Sequence, residues 1–229
     1  MGRGLPSDPS GLPRQRRGVV PGGRGRFADY DVLDQASHWD DATRRVVLAR
    51  LDPPPIRFFD PSEARSLAAF CDTVTAQDAE PRISVLRFVD EKLHEGRLDG
   101  FQYDDMPDDR EVWRLVARGL DEAARALGRS SFDELTLDER HDVCERFAGG
   151  ELSGGAWEEL NVTRAWTTVM RGVLQAFYAH PWAWNEIGFG GPAYPRGYAA
   201  LGVGGKEHWE PDEEFELDPV KDTAERGLE

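Results

Sequence analysis

The sequence is short of cysteine and of positive charge. Its two cysteines, Cys71 and Cys144, both fall at apolar positions of predicted helices. We expect two buried free thiols in a reducing cytoplasm; a single disulfide stays open, because sequence alone does not give their separation. Acidic residues outnumber basic ones, giving a net charge of −15. This balance argues against a nucleic-acid-binding protein and against docking on anionic lipid.

Long apolar runs are also missing. No stretch approaches the roughly 20 consecutive apolar residues that span a bilayer, so we predict no direct membrane span. The pairs Arg16-Arg17 and Arg44-Arg45 resemble twin-arginine starts, but proline follows the first after three residues, and Arg50 and Asp52 interrupt the apolar residues after the second. We therefore predict no signal peptide and a cytoplasmic location, with co-export by a partner's signal left open.

Motifs that carry chemistry are absent as well. The chain has no CxxCH for covalent haem, no GxSxG around a reactive serine, and no predicted strand before its glycine-rich turn. His141 and Cys144 lie one helical turn apart, but two ligands alone do not make a metal site. We predict no catalytic, cofactor-binding or metal-binding residue in this chain.

Helix signals organise the middle of the chain. The run from Asp60 to Glu63 and the run from Thr136 to Glu139 match a capping box, and apolar residues then recur at helical spacing. No alternating strand pattern of any length appears. We predict an all-α protein, a single helical domain of about five helices with extended, irregular N- and C-terminal arms. Its longest helix is expected to run from about Trp157 to Tyr178 and to be central.

Composition divides the chain into four segments. Residues 1–30 are predicted to be a disordered basic arm, because Gly, Pro and Arg leave almost nothing apolar to bury. Residues 31–55 are predicted to hold a short helix and a proline-rich linker, and residues 56–202 the helical domain. Residues 203–229 form an acidic tail, for which disorder and docking on a partner are both left open.

The most unusual stretch is HPWAWNEIGFGGPAYPRGY, His180 to Tyr198. It concentrates aromatic rings on a backbone whose glycines and prolines are predicted to prevent a regular helix or strand. His180, just before Pro181, is interpreted as a helix C-terminal residue that the helix dipole favours. Trp, Tyr and Arg dominate binding energy at protein interfaces, so this segment is a candidate partner interface. Its candidate residues are Trp182, Trp184, Phe189, Tyr194, Arg196 and Tyr198, with Trp209 in the tail. The alternative is that these rings fold back and cap their own core.

Two parts of the chain resemble the gluconate 2-dehydrogenase subunit 3 family. One is FFDPSEARSLAAFCDTVTAQDAEPRISVLRFVDEKL, Phe58 to Leu93, and the other is AWNEIGFGGPAYPRGY, Ala183 to Tyr198. The resemblance implies a non-catalytic accessory (small) subunit in a hetero-oligomer. It implies a large glucose-methanol-choline (GMC)-type flavoprotein as partner, which holds FAD and oxidises a sugar, polyol or sugar acid. A cytochrome or other electron acceptor is a further partner that the family implies, and no cofactor is expected in this chain.

Two other functions are weighed against this one. One is a free-standing helical adaptor with unrelated partners, which a pull-down that finds no flavoprotein would favour. An independent metal-dependent enzyme would use His141, Cys144 and buried acids.

Overall fold

The computed structural model describes residues 30–77, 82–98, 100, 102–200, 202 and 205–211. These residues group into two compact units. The helical unit consists of the described residues of Pro53–Asp78 and Ser84–Phe177. The terminal unit consists of those of Met1–Asp52, Ala79–Ile83 and Tyr178–Glu229. The sequence predicted one domain over residues 56–202, whereas the structure groups both ends of the described chain in a unit of their own.

The described residues form helices and turns and contain no β-strand, which confirms the all-α prediction. They hold more helices than the five predicted. The α-helices are α1 (Asp41–Ala49), α2 (Pro61–Val74), α3 (Val85–His94), α4 (Asp109–Ala126), α5 (Leu137–Ala148), α6 (Val162–Ala179) and α7 (Pro181–Ile187). Short 3₁₀ segments cover Val32–His38, Phe132–Glu134 and Gly155–Glu159. The predicted basic arm, apart from Tyr30, and most of the predicted acidic tail lie outside the described residues.

The capping boxes lie where the sequence predicts them. Asp60 accepts hydrogen bonds from the N–H groups of Ser62 and Glu63 at 2.7 and 2.9 Å, and Glu63 accepts one from the N–H of Asp60 at 3.0 Å. Thr136 and Glu139 form the same reciprocal pair at the start of α5. Each pair satisfies N–H groups that the first turn of a helix leaves without a partner.

Helix α6 starts later than predicted. Trp157 lies in a separate 3₁₀ segment, and α6 begins at Val162. The side chain of Asn161 accepts a hydrogen bond from the N–H of Arg164 at 3.2 Å, as an N-cap does. Asn161 therefore sets the start of the helix, and Trp157 is left to pack as part of the preceding turn.

Helix α2, rather than the long helix α6, is the element around which the helical unit packs. It contacts α3, α4, α5 and the 3₁₀ segment Phe132–Glu134. The ring of Phe147 on α5 lies 4.8 Å from that of Trp157 and 5.1 Å from that of Trp166 on α6. Fully burying a large apolar side chain contributes about 1.5–3 kcal/mol, so the buried rings of Phe147 and Trp157 stabilise the helical unit. The other side of α6 faces solvent, since Leu174 is 44% exposed.

A buried carboxylate fixes the segment that leads into α2. Asp90 of α3 is fully buried, and it accepts hydrogen bonds from the N–H groups of Arg57, Phe58 and Phe59 at 2.7, 2.9 and 3.0 Å. Charge-assisted bonds of this kind replace the water that the carboxylate loses on burial. Asp90 therefore serves the fold of the helical unit.

Both cysteines are buried free thiols, as predicted. Burial raises the pKa of Cys144 to about 12 and raises the pKa of Cys71 well above its ordinary value. A thiol that stays protonated at neutral pH is a poor nucleophile and a poor metal ligand. The two cysteines therefore behave as small apolar core residues.

Candidate partner-binding surface

The segment from His180 to Tyr198 begins with a helix, which corrects the prediction that no regular element forms there. Helix α7, Pro181–Ile187, has proline at its first position, where the missing N–H has no intrahelical partner in any case. Gly188 follows it in the left-handed conformation, at φ 71°. This proline and this glycine therefore bound the helix instead of preventing it.

His180 caps α7 and does not end α6. Its Nδ1 accepts a hydrogen bond from the N–H of Trp182 at 3.1 Å, which requires an unprotonated nitrogen. The side chain is 4% exposed, and burial, with the positive charge of Arg50, lowers its pKa to about 4. His180 is therefore neutral at physiological pH and lies after the end of α6, so its interpretation as a helix C-terminal residue favoured by the dipole is wrong.

Trp184 lies in the core of the terminal unit. It packs with Val32, Trp39 and Val47, and it is 5% exposed. Its Nε1 donates a hydrogen bond to the carbonyl of Tyr178 at 2.6 Å. Of the two alternatives left open by the sequence, the structure places this ring in the chain's own core. Trp184 is therefore a core residue of the terminal unit and not one of its surface rings.

Two glycines let aromatic rings lie directly on the backbone. A Cβ atom at Gly191 would lie 2.8 Å from Cγ2 of Val32 and 3.0 Å from Cζ2 of Trp39, and its φ is +78°. A Cβ atom at Gly190 would lie 3.3 Å from Cδ1 of Trp209. Glycine is required at Gly191 on both counts, because L side chains rarely adopt that backbone conformation and the space is occupied.

Arg196 and Trp209 stack on each other inside the terminal unit. The guanidinium carbon of Arg196 lies 4.0 Å from the centre of the indole ring, and its Nη1 donates a hydrogen bond to Oε1 of Gln35 at 2.9 Å. Trp209 is 7% exposed, and the hydroxyl of Tyr30 donates to its carbonyl at 3.3 Å. Burial raises the pKa of Tyr30 to about 12, so this hydroxyl keeps its proton. Disorder and partner docking were the alternatives for the tail; the structure instead buries Trp209 within this chain.

The predicted interface rings that remain at the surface are Phe189, Tyr194 and Tyr198. They are 40%, 66% and 55% exposed, respectively, and we call them the exposed rings. Trp182 is half-buried, with its ring edge-on to His180 at 5.1 Å. The structure therefore divides the predicted interface residues into a buried group, which orders the segment, and a group exposed at the surface of the terminal unit.

Sequence reasoning missed the polar residues that order this segment. Glu207 accepts hydrogen bonds from the N–H groups of Ala199 and Ala200, and Gln35 holds Arg196. Asn185 contacts the N-terminal part of the unit, 153 positions away in the chain. The sequence shows Asn185 as a polar residue directly after a tryptophan, which could have marked it for attention. No neighbouring residue, however, indicates that its partner is the N–H of Val32.

The described residues bring few potentially catalytic or metal-binding side chains together. No three His, Cys, Asp or Glu side chains among them converge as a metal site would require. His141 is exposed on α5, whereas Cys144 is buried. The helical unit has a cleft of about 380 Å³ with Leu152 and Trp157 in its wall. Glu122 also lines this cleft, but its carboxylate already accepts the N–H of Ala156 at 2.9 Å.

The family model described as gluconate 2-dehydrogenase subunit 3 matches residues 61–191. The chain belongs to the gluconate 2-dehydrogenase subunit 3 family. This confirms the resemblance drawn from the sequence. The matched span runs from the first residue of α2 to Gly191, and so it includes α7 and both packed glycines. Tyr194, Arg196, Tyr198 and Trp209 lie beyond it.

No curated protein and no solved structure matches this subunit 3 family member. Within the described ranges, none of its helices has the combination of length and apolar character that crossing a membrane requires.

Proposed function

We propose that this chain is a non-catalytic accessory subunit that binds and stabilises the large subunit of an FAD-dependent sugar or polyol dehydrogenase. Membership of a family described as a subunit of gluconate 2-dehydrogenase carries the proposal. FAD and the substrate pocket belong to the large subunit, a GMC-type flavoprotein. A cytochrome or another acceptor takes electrons from that flavin, and this chain supplies none of the reacting groups.

The state of the buried side chains supports a non-catalytic role. Cys71 and Cys144 are buried thiols whose raised pKa values keep them protonated. His180 is neutral, but its Nδ1 is occupied by the helix cap that it forms with Trp182. Thiolates and accessible imidazoles are the usual nucleophiles and bases of enzymes, and these three groups are committed to the fold.

The exposed rings support partner binding. Tyr194 and Tyr198 are each more than half exposed, on a backbone that is held in place. The N–H of Gly197 bonds to the carbonyl of Ala193 at 2.8 Å, which closes the turn between the two rings. Aromatic rings on an ordered backbone lose little conformational entropy on binding, which is why such residues dominate the energy of many interfaces.

The proposal is tested by purifying the tagged full-length chain from its native cells. We expect FAD to co-purify, measured by flavin fluorescence after denaturation, together with dye-linked oxidation of gluconate or a related sugar acid or polyol. A folded chain that elutes without flavin, or with a partner that contains none, overturns the proposal.

Three variants separate binding from folding. Tyr194→Ala is expected to lower the flavin that co-purifies while changing the free energy of unfolding by less than about 0.5 kcal/mol, because the ring is exposed. Leu127→Ala, which removes a 50% exposed side chain of the helical unit, is the matched control and should retain flavin. Trp184→Ala is expected to cost about 3–5 kcal/mol of unfolding free energy, because it empties a core position.

A further inference from the structure

The guanidinium of Arg196 is only partly satisfied. Its Nη1 bonds to Gln35, but Nε and Nη2 are buried and have no hydrogen-bond acceptor among the described residues. Buried polar groups in proteins are nearly always bonded, and an unbonded charged donor is one of the costlier exceptions. Two such donors on one edge of one side chain call for a specific explanation.

The edge that lacks an acceptor is the one that recognises carboxylates. Nε and Nη2 point in the same direction, and their spacing matches the two oxygens of a carboxylate in a bidentate pair. The amide oxygen of Gln35 occupies only Nη1, on the other side of the guanidinium. The free edge is therefore complementary to one planar anion.

A short segment with two glutamates packs on the face of this guanidinium. We call Gly205–Pro211 the Trp209 strap. The indole of Trp209 lies on the guanidinium of Arg196 and against Gly190, whose missing side chain makes room for it. The indole Nε1 is itself buried and has no acceptor in the part of the chain that the structure describes. The ring thus shields the guanidinium from water. Among the described residues, however, Nε and Nη2 of Arg196 and Nε1 of the indole have no acceptor.

The strap's own carboxylates are used elsewhere. Glu207 accepts the N–H groups of Ala199 and Ala200, the second at 2.7 Å, and Glu210 accepts the N–H of Glu207 at 2.8 Å. Neither of them bonds to Arg196, although both are within a few residues of the ring that covers it. The strap is therefore fastened through Glu207, and among the described residues neither of its carboxylates is hydrogen-bonded to the guanidinium beneath Trp209.

We infer that the Trp209 strap covers a docking site and that Arg196 binds a carboxylate of the flavoprotein large subunit when the strap is displaced. This inference rests on the proposed function. The exposed ring of Tyr198 lies 6.3 Å from the Trp209 ring, so a protein segment that replaces the strap also meets an aromatic neighbour. An aromatic neighbour and bare glycine backbone favour a protein carboxylate over a small hydrophilic anion, and the chain's net charge of −15 disfavours polyanions.

A closed strap lowers the apparent affinity for the partner by the fraction of chains in which it is open. Any change that loosens the strap without altering Arg196 should therefore strengthen binding. Glu207→Gln is such a change, because it keeps the shape of the side chain but replaces charge-assisted hydrogen bonds by neutral ones. The difference between the two kinds of bond predicts about fivefold tighter binding of the partner.

The experiment is a competition in native cells between wild-type chain and one variant, each carrying a different tag, for the same limited flavoprotein. The readout is FAD per chain in each purified pool. We expect the Glu207→Gln pool to hold about fivefold more FAD than wild type, and the Arg196→Gln pool about thirtyfold less or lower still. Arg196→Lys should not restore binding, since an ammonium lacks the bidentate edge. Arg45→Gln, which removes an exposed arginine of the same unit, is the control and should match wild type.

A second readout follows the strap directly. Hydrogen exchange at the amides of Ala199 and Ala200 should be faster in the complex than in the free chain, because the strap carries Glu207 away from them. Equal FAD in all pools, or unchanged or slower exchange at these amides in the complex, overturns the inference. Equal FAD in all pools is expected if Nε and Nη2 of Arg196 are bonded only to a buried water molecule and not to a partner carboxylate. If Arg196→Gln fails to fold, the Glu207→Gln pool and the exchange measurement test the inference without it. If no flavin co-purifies with the wild-type chain, the proposed function itself is wrong.

Discussion

Asn185 on α7 bonds to the backbone of Val32 across the terminal unit. Its Oδ1 accepts the N–H of Val32 at 2.8 Å, and its Nδ2 donates to Oδ1 of Asp31 at 3.3 Å. The side chain is 2% exposed, so these bonds form away from water, where they are hardest to replace. One amide therefore joins two segments that lie 153 positions apart in the chain.

We predict that Asn185→Ala lowers the free energy of unfolding by about 1–3 kcal/mol, because the buried N–H of Val32 loses its acceptor. Denaturant unfolding of the purified chain measures the loss, and hydrogen exchange at the Val32 amide locates it. An unchanged unfolding midpoint together with a protected Val32 amide would show that this bond does not hold the unit.

Asn185→Asp is the matched variant for the same site. It can still accept the N–H of Val32, but it places a second carboxylate beside Asp31, whose pKa burial already raises. Two adjacent carboxylates cannot both ionise without repulsion. We therefore expect its loss of stability to be smaller in acidic buffer than at neutral pH, whereas the loss in Asn185→Ala should depend little on pH in that range.

A second prediction concerns the glycine on which the core rings rest. Gly191→Ala is expected to destabilise the chain in two ways. The left-handed backbone costs about 1–2 kcal/mol for a residue with a Cβ, and the clash with Val32 and Trp39 adds about 1–3 kcal/mol of overpacking. Gly197→Ala is the control, since it shares a positive φ of 74° but has open space around the new Cβ. Equal losses in thermal unfolding of the two variants would mean that close packing at Gly191 contributes nothing.

The sequence predicted the local features of this fold well. The capping boxes at Asp60 and Thr136 and the buried cysteines depend on residues close in the chain, and the structure confirms them. The start of α7 was also readable, because proline at the first position and Gly188 after the last are ordinary helix boundaries. The high content of glycine and proline in the whole segment obscured that local pattern.

Contacts between residues far apart in the chain determine which aromatic rings are buried, and the sequence did not predict this. Whether Trp184 and Trp209 face a partner or the core depends on residues 30–52, and no spacing within His180 to Tyr198 contains that information. The same holds for Arg196, because both of its partners, Gln35 and Trp209, lie outside that segment of the sequence. Composition identified the segment as important, but only packing could divide its rings into buried and exposed.

A third prediction tests packing in the helical unit. Alanine at an interior helix position is usually more stable than glycine by about 1 kcal/mol. At Gly119 of α4, however, a Cβ would lie 2.4 Å from Cε2 of Trp157. Overpacking of about 1–3 kcal/mol should outweigh the propensity gain, so we expect Gly119→Ala to be destabilising.

Gly172 of α6 offers a graded comparison with Gly119. A Cβ there would approach Cζ2 of Trp113 at 3.0 Å, a milder overlap, so the propensity gain should offset more of the cost. We expect Gly172→Ala to lower the melting temperature less than Gly119→Ala does. The reverse order in thermal unfolding would show that Trp157 moves aside and that the packing of Trp157 on α4 is loose.

The last prediction concerns pH and His180. Its pKa is about 4 in the folded chain against 6.5 for an unperturbed histidine, so between these values the unfolded chain binds more protons than the folded one. Stability contributed by neutral His180 is therefore fully present above about pH 6.5 and is lost as the pH falls towards about 4, by about 3 kcal/mol in all. Asparagine is a good N-cap that does not titrate in this range, so His180→Asn should keep the bond to the N–H of Trp182 and show a flatter acid limb in denaturant unfolding. His38→Asn, at an exposed histidine of the same unit, should keep the wild-type profile. If His180→Asn loses stability with acid as steeply as wild type, carboxylates alone account for the acid limb and His180 is not held neutral by the fold.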